Sequence, residues 1–128
     1  MKEKLIKLLD NSYSPYSKFR VSAIVVMKDN NEFNGVNVEN AAYGSSICAE
    51  RSAILAAISN GYKKEDFKAL YVMCDNDKIG MPCFACRQVI YELLGEDVLV
   101  TCLNPKRESL VLKVKDLCPF PFGSEDLL

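Results

Sequence analysis

The sequence predicts an α/β protein in which one mixed sheet of five strands has helices packed against its faces. Extended and helical segments follow a leading helix in the order β-β-α-β-α-β-β. The last two extended segments, residues 98–103 and 110–114, are joined by residues 104–107, a link too short for a parallel crossover. We therefore expect these two strands to be antiparallel. Without a repeat or linker, residues 1–128 are expected to form one domain.

The amino-terminal part of the chain predicts a helix and a hairpin. Apolar residues recur at helical spacing in the first ten positions, and Pro15 follows soon after, so the first helix should end near Asn11. Residues 21–27 are rich in β-branched side chains, and residues 28–31 form a polar turn cluster. Residues 32–38 resume an extended pattern, which completes a β-hairpin.

The central part of the chain predicts helix, strand and helix. Residues 48–60 are rich in alanine, and Gly61 stands where a helix C-cap would fall. Residues 69–74 are a short apolar run bounded by polar residues, which indicates a strand. Residues 83–94 return to helical spacing before Gly95.

Composition narrows the class of protein. With 16 basic and 17 acidic residues and a pI near 5.5, the chain has no basic surface typical of nucleic-acid binding. No apolar stretch approaches the length of a membrane span, and the first residues do not resemble an export signal. We therefore expect a cytoplasmic protein whose six cysteines are reduced and available for metal binding or redox chemistry.

Histidine is absent from the chain. Its absence excludes Ser-His-Asp triads, Cys-His nucleophile pairs and histidine-ligated metal sites. Any chemistry must therefore use Cys, Glu, Asp, Arg, Lys or Tyr.

Cysteines open two of the predicted helices. Cys83 and Cys86 are three apart and can share one ion, as in Cys-x-x-Cys zinc sites. Cys48 and Glu50 are two apart and would diverge within a regular helix, so both can approach the same ion only if Cys48 occupies the non-helical entry position. At a helix N-terminus the dipole favours the thiolate. Three thiolates would leave the fourth tetrahedral position of zinc to water, which is typical of a catalytic site, and Glu50 would be the proton carrier.

Two cations adjoin the predicted site. Three thiolates overcompensate the charge of zinc, so a cation that donates hydrogen bonds to sulfur would restore acidity at the metal. Arg51, beside Glu50, and Arg87, beside Cys86, are the candidates.

Other interpretations of the cysteines remain open at this point. The Cys-x-x-Cys pair alone is also compatible with a dithiol redox motif or with half of a structural zinc site. The distant Cys-x-Glu favours catalytic zinc, because a redox pair does not need it. A closed site would need Cys74, Cys102 or Cys118, which lie in or near apolar segments and resemble small buried hydrophobes.

Four motifs together carry a family resemblance. A ligand-x-Glu followed by Pro-Cys-x-x-Cys is the zinc-deaminase signature. The motifs are SPYSKFRV at 14–21, NVENAAYG at 37–44, ICAER at 47–51 and PCFACRQ at 82–88, with residues 117–123 in addition. They resemble the small homotetrameric zinc-dependent cytidine deaminases. The resemblance implies an α/β/α sandwich and hydrolysis of cytidine, and of 2′-deoxycytidine, to the uridine product and ammonia.

The resemblance also implies roles for individual residues. One zinc ion per subunit would be held by Cys48, Cys83 and Cys86, with a zinc-activated water and Glu50 as proton shuttle. Arg51 matches the residue that tempers the thiolate charge. The implied substrate-binding residues are Phe19, Asn37, Glu39, Tyr43, Ala49 and Phe122.

Among those substrate residues, Asn37 and Glu39 match a ribose-binding pair and Phe19 an aromatic near the base. Tyr43 and Phe122 match residues that reach across subunit boundaries, so the pocket would be completed by assembly into a homotetramer. Without the resemblance, the polar pair would be interpreted as strand-end solvation and the tail as an edge packed on its own core.

The chain departs from the family pattern at two positions. Phe84 stands where glycine is usual, and Met81 where serine or threonine is commoner. If the glycine is needed for positive φ, Phe84 would be strained; if it only gives room, Phe84 adds an apolar wall near zinc. The rival functions are a deaminase of a nucleoside-like antibiotic and a redox Cys-x-x-Cys protein.

Overall fold

One sheet organises the chain. The computed structural model describes residues 1–106 and 108–128. The strands are β1 (Val21–Met27), β2 (Glu32–Val36), β3 (Phe67–Cys74), β4 (Leu99–Leu103) and β5 (Ser109–Lys113), in the spatial order β2-β1-β3-β4-β5. Strands β3 and β4 are parallel, and the other neighbours are antiparallel, including β4 and β5. The five-stranded mixed sheet is confirmed; Arg107, in the predicted link between β4 and β5, lies outside the described residues.

Helices cover both faces of the sheet. They are α1 (Lys2–Leu9), α2 (Ala49–Ser59), α3 (Phe84–Leu93) and the short α4 (Val114–Leu117), with 3-10 turns at Tyr43–Ser45, Lys64–Asp66 and Ser124–Asp126. Alternate residues of β1 point to opposite faces. Ala23 and Val25 pack in the core that contains α2 and α3, whereas Ile24 packs with Leu5 and Leu9 of α1. The α/β/α sandwich is therefore confirmed.

Most boundaries differ from the predicted ones by one or two residues. The first helix ends at Leu9 instead of Asn11, β3 begins at Phe67, and Val114 starts α4 instead of ending a strand. A side-chain bond explains the last case, because a carboxylate oxygen of Asp116 accepts the N–H of Lys113 at 3.1 Å and caps the new helix.

Strand β2 also ends earlier than predicted, at Val36 instead of position 38. The carbonyl of Asn37 accepts the N–H of Tyr13 at 3.0 Å, and Val38 forms isolated bridges with Tyr13 and Ile47. These contacts with distant segments take the chain away from the sheet. Asn37 therefore lies just beyond the strand.

Two glycines position α2. Gly61 has φ 93° and its N–H donates to the carbonyl of Ile58 at 3.0 Å, which confirms the predicted helix stop. Gly35 of β2 lies directly under the first turn of α2. A Cβ at Gly35 would be 2.6 Å from the backbone N of Ala53 and closer still to the carbonyl oxygen of Ala49. Only glycine permits this approach of strand and helix.

Candidate active site

The sulfur atoms of Cys48, Cys83 and Cys86 all lie within 4.8 Å of one another. Cys48 is the N-cap of α2, with φ −74° and ψ 154°, so it occupies the predicted non-helical entry position. Cys83 is the N-cap of α3, and Cys86 lies in the first turn of the same helix. The first turns of two helices therefore bring the three thiols together.

The three sulfurs fit a zinc ion. Tetrahedral zinc with Zn–S bonds of about 2.3 Å separates its sulfur ligands by roughly 3.8 Å. The distance between Cys48 Sγ and Cys83 Sγ is 3.9 Å. Three soft donors at this spacing are a ligand set that zinc prefers, with one tetrahedral position left for a further ligand.

Glu50 lies in the first turn of α2, directly after this group of thiols. Its side chain is buried, with the residue 4% exposed. Burial, followed by the nearby charge of Cys48, raises the pKa of the Glu50 carboxyl, and the charge of Arg51 partly opposes this effect. A carboxyl with a raised pKa is suited to both accepting and returning a proton near neutral pH.

Arg51 reaches the thiol group as predicted. Its Nη2 donates to Cys48 Sγ at 3.4 Å. A hydrogen bond from Cys86, followed by the bond from Arg51, lowers the pKa of Cys48 to about 5 despite partial burial. The same shared hydrogen bond and burial raise the pKa of Cys86. In the metal-free protein, negative charge is therefore concentrated on Cys48, where Arg51 stabilises it.

Arg87, the second candidate for donating hydrogen bonds to the sulfurs, donates to backbone carbonyls instead. Its Nε donates to the carbonyl of Pro82 at 2.8 Å, and its Nη1 donates to the carbonyl of Leu117 at 3.2 Å. Its donors are thus directed at backbone carbonyls, and Arg51 is the guanidinium that contacts a thiol.

The remaining cysteines are not part of the group. Cys74 and Cys102 are buried in β3 and β4, and burial is the main cause that raises their pKa values to about 12 and about 11. Cys118 is half-buried and its thiol donates to the carbonyl of Arg87 at 3.5 Å. The interpretation of these residues as small buried side chains is confirmed for Cys74 and Cys102.

Asn37 is held by bonds to the segment that precedes β1. Its Nδ2 donates to the carbonyl of Phe19 at 2.7 Å, and its Oδ1 accepts from Ser12 Oγ at 2.5 Å and from the N–H of Val21 at 2.9 Å. These hydrogen bonds within the protein show that the Asn37 side chain is not simply solvated at the end of a strand. They fix the amide in one orientation.

Glu39 is held by the same segment. Its carboxylate accepts from the N–H of Tyr16 at 3.0 Å, from the N–H of Ser17 at 3.1 Å and from Ser17 Oγ. The Ser17 hydroxyl is the first cause that lowers the pKa of Glu39. Ser12 bonds to Asn37 and Ser17 bonds to Glu39, the two candidate ribose-binding residues. The sequence alone did not identify these serines, although both lie in or beside the 14–21 motif.

The predicted substrate residues lie in more than one place. Glu39 and Tyr43 line one open cavity, the walls of which are Tyr16, Ser17, Glu39, Asn40, Tyr43 and Ser46. The Tyr43 side chain is 79% exposed and meets Tyr16 edge-on with ring centroids 6.3 Å apart. Phe19 is exposed at the end of the same segment, and Ala49 is fully buried.

Phe122 lies elsewhere, on the outer side of α3. Gln88 Nε2 donates to its carbonyl at 2.8 Å, and its side chain lines a groove together with Phe84 and Phe120. Within a single chain, Phe122 and Glu39 therefore line different cavities.

Comparison with known proteins agrees with this geometry. Residues 1–102 match the family described as the cytidine and deoxycytidylate deaminase zinc-binding region. A cytidine deaminase of Sporosarcina psychrophila is 41% identical, with 98% of this chain and 93% of that protein covered. A cytidine deaminase of Halalkalibacterium halodurans is 38% identical over the same shares of the two chains.

Solved structures give the same result. The crystal structure of cytidine deaminase from Burkholderia pseudomallei superposes with a TM-score of 0.90 at 38% identity and covers 94% of each chain. The Mycobacterium tuberculosis cytidine deaminase superposes with a TM-score of 0.80 at 32% identity over 96% of this chain and 94% of the other. Given the matched zinc-binding region, the full-length relatives and the shared fold, this chain belongs to the cytidine deaminase family.

Proposed function

We propose that this protein deaminates cytidine to uridine and ammonia by hydrolysis, and that it also accepts 2′-deoxycytidine. The observation that carries the proposal is the convergence of three thiols within 4.8 Å at the start of two helices, with buried Glu50 in the first turn of one of them. A relative named cytidine deaminase over nearly the whole length of the chain supports the same reaction.

Glu50 would be the proton shuttle. When bound to Cys48, Cys83 and Cys86, zinc supplies a Lewis acid that lowers the pKa of water. The Glu50 carboxylate accepts a proton from the attacking water and delivers it to the ring nitrogen beside C4 of cytosine. The resulting hydroxide adds to C4, and Glu50 takes the proton of this new hydroxyl group and passes it to the amino group. The C4–N bond then breaks, so ammonia leaves and uridine forms. One carboxyl thus serves as both base and acid, for which its raised pKa suits it.

Asn37 and Glu39 would bind the ribose. Glu39 already accepts from Tyr16 and Ser17, and a carboxylate has further lone pairs through which it can accept from a sugar hydroxyl. Because its donors hold the carboxylate in place, little side-chain entropy is lost when the sugar binds. Phe19 would pack near the base.

Assembly would complete the pocket, and we propose a cytoplasmic homotetramer with one zinc ion per subunit. Tyr43 and Phe122 expose 79% and 55% of their surfaces, and they line different cavities of one chain. Exposed aromatic side chains of this kind can line the active site of a neighbouring subunit.

Among the helices of the described residues, none combines the length and apolarity that a membrane span requires. Light scattering on the purified protein should give four times the chain mass of 14.3 kDa.

The decisive variant is Glu50→Gln, which keeps the shape of the side chain but cannot exchange a proton. We expect it to retain zinc by elemental analysis while ammonia release from cytidine falls by about 100-fold or more. Glu92→Gln, the same change at an exposed position on α3, is the matched control and should leave activity unchanged. A fully active Glu50→Gln variant would contradict the role of Glu50.

Substrate comparison separates the rival functions. We expect ammonia from cytidine and deoxycytidine but not from adenosine. Ammonia from a nucleoside-like antibiotic alone would favour that class of deaminase. Metal-independent thiol exchange with no ammonia release would favour a redox protein.

A further inference from the structure

Phe84 is a large apolar residue in an exposed position beside two candidate zinc ligands. It is the first residue of α3, and its side chain is 78% exposed. Its backbone is helical, so the strain that a positive φ would have caused is absent at this position. The backbone therefore accommodates this residue without strain.

The ring of Phe84 contacts Arg87, one helical turn further on. The Cζ atom of Arg87 lies 4.4 Å from the centroid of the Phe84 ring, within the range of a cation–π interaction. Residues three apart on a helix are neighbours, so the pair forms within α3 itself. The ring restricts the guanidinium to one region above the first turn.

In that position the guanidinium joins two other segments to α3. Nε donates to the carbonyl of Pro82, which immediately precedes Cys83, and Nη1 donates to the carbonyl of Leu117 at the end of α4. Arg87 is thus a bridge between the loop that leads into α3 and the C-terminal part of the chain. The planar guanidinium makes the two bonds from two different nitrogens in a fixed geometry, which the single ammonium nitrogen of a lysine does not reproduce.

Cys83 is the thiol that depends most on this bridge. It is the exposed member of the three, whereas Cys86 is buried and Cys48 is half-buried. Its sulfur accepts a hydrogen bond from the N–H of Cys86 at 3.4 Å. Cys83 itself is not enclosed by the core. The residue before it, Pro82, is buried and its carbonyl accepts from Arg87, so this bond helps to fix the point at which Cys83 begins α3.

We propose that Phe84 and Arg87 form a positioning pair that holds Cys83 in place for zinc and slows the departure of the metal. The proposal rests on the zinc site put forward above. Phe84 acts through Arg87, and Arg87 acts through the backbone of Pro82, so neither residue contacts substrate.

The test is the rate at which the purified holoenzyme transfers zinc to an excess of a chromogenic chelator. Phe84→Leu keeps an apolar side chain with good helix propensity but lacks the aromatic face, and we expect zinc to leave roughly two- to fivefold faster. Arg87→Lys keeps the charge but not the two separate nitrogens that donate to Pro82 and Leu117, and it should accelerate release at least as much. In the double variant the two effects should be less than additive, because each residue acts through the other.

The matched control is Tyr91→Phe. Tyr91 lies on the same helix, and its hydroxyl donates to Glu125 of the same C-terminal segment at 3.0 Å, not to the carbonyl of Pro82. We expect wild-type zinc release from this variant. Urea unfolding of the metal-free proteins separates zinc retention from overall stability, so faster release at equal stability supports a positioning role.

Two results would overturn the inference: unchanged zinc release in both Phe84→Leu and Arg87→Lys, or equally fast release in Tyr91→Phe. Either result can be distinguished from a failure of the proposed function. If the wild-type protein carries no zinc, the zinc site itself is wrong. If it carries zinc and deaminates cytidine but the variants behave as wild type, only the positioning role is wrong.

Discussion

The first turns of α2 and α3 present thiols in the same way but are supported differently. Cys48 and Cys83 are both N-caps with extended backbone. The turn after Cys48 is buried, with Ala49 and Glu50 enclosed by the core and Gly35 in close backbone contact beneath them. Close packing therefore holds this turn, and it can move only if β2 moves with it.

The turn after Cys83 is enclosed by the core at Cys86 but not at Cys83 or Phe84. Phe84 is exposed, and side-chain bonds from Arg87 and Gln88 connect α3 to the C-terminal segment. Backbone packing is hard to alter by degrees, whereas individual hydrogen bonds can be removed one at a time. We therefore expect a substitution that disturbs the packing beneath α2 to lower the free energy of unfolding more than the removal of a single side-chain bond on α3.

The largest expected effect comes from Gly35→Ala. The new Cβ would clash with the backbone of Ala49 and Ala53, so α2 must move away from β2. We expect the free energy of unfolding to fall by about 1–3 kcal/mol or more, measured by urea denaturation, with weaker zinc retention.

Gly44→Ala is the control for this change. A Cβ at Gly44 meets no atom within 4 Å, and its backbone φ is not positive. This variant should be as stable as the wild type. Equal stability of the two variants would show that close packing does not hold the α2 turn.

An intermediate effect is expected from Arg51→Gln in the metal-free protein. Arg51 is one of the groups that lower the pKa of Cys48 to about 5, so its loss should raise that pKa. Thiolate absorbance during a pH titration measures the change. Arg20→Gln, which removes a guanidinium that pairs with Asp10 and Asp75 and not with a thiol, should leave the pKa of Cys48 unchanged.

The pH dependence of stability follows from the same shift. Because the folded pKa of Cys48 is below its ordinary value of 9.0, its contribution to stability is complete above about pH 9 and is lost as pH falls towards 5. Arg51→Gln should reduce this contribution across that window. An identical titration in wild type and variant would exclude Arg51 as the stabilising cation.

The smallest effect is expected from Gln88→Ala. This change removes the bond to the Phe122 carbonyl on the surface of α3. The free energy of unfolding should fall by about 0.5–1.5 kcal/mol, measured by urea denaturation. A loss as large as that of Gly35→Ala would mean that the two turns are supported alike.

Local patterns predicted much of the fold. The hairpin, both long helices and the last two strands came from apolar periodicity and turn residues, with ends within about two positions. The early end of β2 was not predictable, because a bond from Tyr13 to the Asn37 carbonyl joins segments far apart in sequence. The short α4 depends on a side-chain cap from Asp116 that the apolar pattern does not reveal.

The sequence by itself determined which side chains are available for chemistry. The lack of histidine, the Cys-x-Glu and the Cys-x-x-Cys together favour a three-thiol site with a carboxyl beside it. The spacing also set a condition on Cys48: it and Glu50 can approach one ion only if Cys48 lies at the entry position of its helix, because residues two apart diverge within a regular helix.

Tertiary structure alone decided the partners of the charged and polar groups. Arg51 and Arg87 each adjoin a predicted site residue in sequence, but one contacts sulfur and the other bonds to two backbone carbonyls. Likewise, only the folded chain shows that Ser17 orients Glu39. The physical reason is that hydrogen bonds depend on the positions and directions of atoms from distant segments, and packing of the whole chain sets these.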